Sequence, residues 1–203
     1  MLDAALIKEC GDPSLKPAIV EQFVQAVGSE DPLAISVRSG GRLILIPKPK
    51  TSEEAIEIVR ENIGRSVVRV GLTQIPAGIG LKDASELEVD LVDPCVNLRM
   101  GTAMFAKILR IVANWYGNPT SEEVFPQLFD DAIHAWRTGT FEGESVFQAE
   151  DPGGAVLQQL SVFERDAAIH KEEDEIVEVP DQAQTKPNDA GIRIDLTRIR
   201  GHK

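Results

Sequence analysis

The chain has 203 residues, 42% of them apolar, and a formal net charge of −12. That is enough apolar material for one sizeable core, and the acidic balance argues against general nucleic-acid binding, which needs a basic face. No run of about eighteen apolar residues is present, so no membrane span is expected.

The opening MLDAALIKEC lacks the basic and long apolar regions of a secretory signal. Read alone, it points to a cytoplasmic chain, or to export by another route or from a longer precursor. Residues 2–10 and 15–28 read as helices. In the second, Ile19, Phe23 and Val27 share one face at a spacing of four, and Gly28 is a stop signal. PLAISVRSGGRLILIPKP reads as a β-hairpin around Ser39-Gly40-Gly41, its second strand ended by Pro47 and Pro49. TSEEAIEIVRENIG is a helix opened by a capping box, Thr51 with Glu54. SVVRVGL is a third strand or an extended lead-in, and TQIPAGIGL is a Gly/Pro loop.

DPCVNLRMGTAMFAKILRIVANWYG is the longest helix, with Pro94 near its first position. Apolar residues nearly encircle it, which puts it at the centre of the core. TSEEVFPQLFDDAIHAWRTG is a further helix, expected to be capped by Thr120 with Glu123 and closed by Gly139. FEGESVFQAEDPGG is loop-like, and residues 155–170 are a candidate last helix. From Lys171 the chain is polar and acidic and is expected to be disordered. The last twelve residues alternate apolar and basic and read as a charged terminus or a docking strand. The expectation is an α+β domain over residues 1–170, mostly helical with one small hairpin, followed by a tail over 171–203.

Four blocks in order, DPLAISVRSGG, VGLTQI, DPCVNLRMGTAMF and AIHAWRTGTF, resemble the lytic transglycosylase component of type IV secretion systems. The match covers roughly residues 10–142. Within that superfamily the chain most resembles the TraH conjugal transfer proteins. The resemblance implies a lysozyme-like fold in which a glycan strand lies between a helical lobe and a hairpin lobe, here Leu33 to Ile46. It implies peptidoglycan strands or conjugation subunits as partners, and a periplasmic location. VGLTQI resembles a loop whose Gln touches sugar. Gln74 inherits that role, and Thr73, Ser36, Trp136 and Arg137 complete the implied binding set.

Lytic transglycosylases need one carboxyl that donates and then recovers a proton. In the resembled motif the catalytic Glu stands five residues before the Pro of the DPLAI-type block, and that position is Val27. Glu30 is the nearest carboxylate that a shifted helix end would bring into the cleft. A second departure replaces a Tyr-Asn pair by Trp136-Arg137. Trp lacks the phenolic hydroxyl that bonds the carboxylate, and Arg would favour a carboxylate's ionised form. The reading is therefore a conjugation accessory protein with a degenerate site. An active transglycosylase using Glu30, and a cytoplasmic adaptor of the transfer apparatus, are the alternatives.

Exported relatives pair cysteines placed like Cys10 and Cys95, so the resemblance implies a bridge. The missing signal argues for free thiols, and both readings stand at this point. His134, His170 and His202 show no metal spacing, and neither a metal nor a cofactor is expected.

Overall fold

The computed structural model describes residues 2–80 and 83–153. The candidate helix at 155–170, the acidic tail and the basic terminus lie outside the described residues. The fold is α+β. Helix α1 spans Ala4–Cys10, its first turn capped by the Asp3 carboxylate, which accepts from the Ala5 amide. Helix α2 spans Pro17–Val27 and starts on a proline, whose missing N–H costs nothing there. Strands β1 (Ile35–Ser39) and β2 (Arg42–Ile44) form the expected hairpin. Gly40 and Gly41 both hold positive φ, 55° and 78°, as a tight two-residue turn between twisted strands requires.

Helix α3, Ser52–Asn62, begins where the Thr51 hydroxyl accepts from the Glu54 amide. The Glu54 carboxylate reaches back to the amide of Lys50, one residue beyond the capping box's usual target. SVVRVGL resolves as a strand, β3 (Val67–Val70), and a two-residue strand β4 (Ile75–Pro76) lies inside the predicted loop. The single hairpin of the sequence reading is thus half of a four-stranded antiparallel sheet, in the order β2-β1-β3-β4. Periodicity missed β4 because two residues carry no pattern.

Helix α4, Pro94–Trp115, starts at Asp93, whose carboxylate accepts from the Cys95 and Val96 amides. Helix α5 spans Phe125–Thr138 and ends at Gly139, φ 81°. Thr120 does not cap it. A 3₁₀ turn at Glu122–Val124 precedes it, and Pro126 sits in its first turn. In a helix capped at Thr120, Pro126 would fall in the second turn, where it lacks an N–H for the carbonyl four residues back and its ring crowds that carbonyl, so the α-helix proper begins beside the proline rather than at the capping-box signal. A second small hairpin, β5 (Thr140–Phe141) and β6 (Glu144–Ser145), occupies the segment read as loop. Among the described residues no helix is long and apolar enough to cross a membrane.

Two apolar clusters result. The helical one gathers Phe23 of α2, Leu98, Phe105 and Leu109 of α4, and Leu128 and Trp136 of α5. The sheet cluster packs Val37, Val68 and Val70 against Ala55, Ile56 and Val59 of α3. Phe23 stacks on Phe105 with ring centroids 4.1 Å apart, and Trp136 meets Phe23 edge-on at 4.9 Å. The α4 helix is central, as its all-round apolar pattern requires.

One buried amide ties the two clusters together. Asn97, on α4, accepts at Oδ1 from the Thr73 amide (3.0 Å) and the Thr73 hydroxyl (2.9 Å). Its Nδ2 donates to the carbonyls of Val70 (3.1 Å) and Leu91 (2.9 Å). Every hydrogen-bonding site of the amide is used. Gly71 makes room for it: φ is 75°, and a Cβ there would lie 2.2 Å from Nδ2. Gly101, one turn along α4, is shaped by the same contact, since a Cβ on it would meet the Thr73 side chain at 2.2 Å. Cys10 and Cys95 are joined in a disulfide that links the end of α1 to the start of α4 across a sequence separation of 85.

Asn97→Ala leaves the Thr73 amide and two carbonyls without their partner. It is expected to lower the unfolding free energy by about 2–5 kcal/mol in a urea titration, and a loss under about 1 kcal/mol would show that this contact is not the tie. Closing a loop of that length restricts the unfolded chain by about 4–5 kcal/mol in the entropy model, so Cys10→Ser with Cys95→Ser is expected to cost about 2–5 kcal/mol by the same measurement.

Candidate binding cleft

The antiparallel register fixes which residues share a sheet face. Ser36 is opposite Arg69, and Arg69 is opposite Pro76. Arg38 lies between Leu43 of β2 and Val67 of β3. These six alternate with Val37, Val68 and Val70, which pack on α3, so they form the sheet's other face. That face is one wall of a groove of about 910 Å³. The opposite wall is the end of α2 (Ala26 to Gly28), the end of α5 (Trp136 to Gly139) and Phe147.

Val27 lines this groove and is half-buried, so the position that the resemblance gives to a catalytic Glu presents a hydrocarbon to it. Glu30 does not. It is exposed and borders a separate hollow of about 240 Å³ with Glu21, Val24 and Gln25. A general acid needs the opposite, burial that raises its pKa.

The remaining residues of the implied set divide. Gln74 and Ser36 both line the groove. Gln74 adopts a positive φ of 51°, uncommon for a side-chain-bearing residue. Its side chain is committed: Oε1 accepts from the Ser36 hydroxyl at 2.8 Å, and Nε2 donates to the carbonyls of Gly71 (3.0 Å) and Ala34 (3.3 Å). Both amide hydrogens are therefore spent on holding the loop against β1. Thr73 does not line the groove. It is fully buried against Asn97, and its role is the structural one just described. Alternation along TQI could not separate the two, because the turn at Gly71 breaks the strand pattern.

Trp136 borders the groove, but its ring belongs to the core. It is 1% exposed and packed among Phe23, Phe105 and Phe147, which leaves no open face for stacking on a sugar. Its indole Nε1 is buried and has no hydrogen-bond partner among the described residues. Arg137 is exposed and donates to the carbonyl of Ala26 at 2.6 Å, covering an otherwise unpaired acceptor in the last turn of α2.

Arg69 went unnoticed in the sequence. It is the polar residue in SVVRVGL, and its position opposite Ser36 sends it to the groove face. Its guanidinium donates to the carbonyls of Gln74 (3.1 Å), Trp136 (2.6 Å) and Arg137 (3.1 Å), which joins the sheet to the end of α5. It also lies 5.7 Å from the centre of the Phe147 ring. Burial, and then the neighbouring Arg38 cation, pull its pKa down to about 10, still far above neutrality. The groove lining thus holds Arg38, Arg69 and Arg137 and no carboxylate among the described residues. It is a cationic wall in a chain of net charge −12.

Residues 1–201 match the TraH_2 family model. The uncharacterized protein y4dP of Sinorhizobium fredii (strain NBRC 101917 / NGR234) is 60% identical over 201 residues, covering 99% of this chain and 100% of that protein. No solved structure matches. The chain belongs to the TraH_2 family, and that membership associates it with conjugal transfer.

Proposed function

We propose that this chain is a non-cutting accessory component of the conjugal transfer apparatus, built on a lysozyme-like, transglycosylase-like plan. Its groove binds a peptidoglycan strand or another subunit of the transfer machine and leaves it intact. One observation carries the reading: Val27, which holds the motif position of the proton donor, lines the groove, and among the described residues the lining offers three arginines and no acid. Cleavage of a glycosidic bond by this route needs a protonated carboxyl at the leaving oxygen. Loss of general-acid chemistry costs about a hundred- to ten-thousand-fold. Arg38, Arg69 and Arg137 would hold any carboxylate there ionised. The Cys10–Cys95 bridge supports an oxidising compartment as the place of work, against the cytoplasmic-adaptor reading.

Purified full-length protein incubated with isolated cell-wall sacculi is expected to release no anhydro-sugar muropeptides, and Glu30→Gln to behave like the parent. Soluble anhydro products that disappear in Glu30→Gln would overturn the proposal in favour of the enzyme. Thiol alkylation of protein taken directly from cells separates the compartments. The exported reading expects Cys10 and Cys95 to resist alkylation until reduced, whereas two reactive thiols would assign the chain to the cytoplasm.

A further inference from the structure

Among the described residues strand β2 pairs only with β1, and its other side is a sheet edge to which none of them adds a strand. Native proteins blunt such edges, because unpaired backbone groups recruit further strands. Here the edge is aliphatic: Leu43 is 60% exposed, Ile44 40%, and Leu45 just beyond the strand 93%. The charge around it is one-signed. From Leu33 to Lys50 the sequence holds Arg38, Arg42, Lys48 and Lys50 and no acidic residue. Lys48 is paired with Asp31 at 2.9 Å, while Arg38 points into the groove beside Leu43 and Arg42 is exposed.

We infer that β2 is a docking strand for an extended, acidic segment of a partner protein, which adds to the sheet edge and sets its carboxylates against Arg38 and Arg42. This deepens the subunit-binding side of the proposed function and rests on it. Backbone pairing along the edge supplies affinity, and alternate side chains supply selectivity. Arg38 and Leu43 share the groove face while Arg42 and Ile44 share the other, so each face of the added strand calls for an acid beside an aliphatic residue. Charge disfavours a second copy of this chain, which would bring its own Arg38 and Arg42 to the edge and no carboxylate from Leu33 to Lys50 to meet them. A nucleic acid fits less well. The groove face of the sheet carries no aromatic side chain for base stacking.

The test uses the full chain and a fluorescein-labelled eight-residue peptide of alternating Glu-Glu and Val-Val pairs, which puts acids and aliphatics on both faces of the strand, followed by anisotropy at low salt. Binding is expected. It should weaken by at least about tenfold in Arg38→Glu and in Arg42→Glu, and by as much when the peptide's amides along one edge are N-methylated. The Lys-Val counterpart should not bind. Arg38 and Arg42 are exposed, so both variants are expected to keep the parent's circular dichroism spectrum. Absence of peptide binding overturns the inference. So does binding indifferent to N-methylation and to both substitutions, or tighter binding of a single-stranded oligo(dT) at the same edge. Retention of the protein on sacculi is scored in parallel. If it persists while the peptide fails, the docking strand alone falls. If neither ligand is held, the binding role of the groove falls with it.

Discussion

The side-chain amide of Asn97 is the constraint on which the rest of the molecule depends. It reaches from the central helix to the loop after β3 and to the carbonyl of Leu91, and all four of its bonds end on protein. A buried amide satisfied in this way specifies position, because any shift of the sheet relative to α4 would strand several polar groups at once. Gly71 and Gly101 exist in the forms they do because this contact is so close. The groove is a consequence. Its sheet wall and its helix wall stay at a fixed spacing because Asn97 anchors one side of the sheet and Arg69 clamps the other to the end of α5.

Arg69 also explains why the groove is cationic without collapsing. An arginine this enclosed is normally matched by a carboxylate. Here backbone carbonyls take that role, two of them from the end of α5, where the helix leaves acceptors unpaired. The negative end of the helix dipole adds to the match. No acidic side chain is required, and the groove keeps its positive charge for whatever enters it. The sugar-cleaving arrangement implied by the resemblance needs the reverse, a neutral carboxyl in partly apolar surroundings. The two electrostatic designs exclude each other within one groove.

Much of this was legible in the chain itself. The Gly-Gly turn, the cap at Thr51, the start of α4 at Pro94 and the all-round apolar pattern of that helix are local signals, and local chemistry decides them. What was illegible depends on distance in space. Thr73 and Gln74 are neighbours in one motif, yet one is sealed against α4 and the other lines the groove. Trp136 borders the cleft with its ring turned into the core. Only the packing of Phe23, Phe105 and Phe147 around it reveals that. The Thr120 signal was correct chemistry outcompeted by Pro126. Arg69 was hidden because a single cation in an apolar strand has no pattern of its own. Its meaning comes from the register with β1.

The covalent link between Cys10 and Cys95 encloses α2, all four strands of the larger sheet and α3 within one ring of chain. The exposed Ser39-to-Arg42 bend sits inside that ring. A protease that severs the bend would therefore produce no separate fragment. The two halves would stay attached through sulfur, and the nicked chain would come apart into two pieces only after reduction.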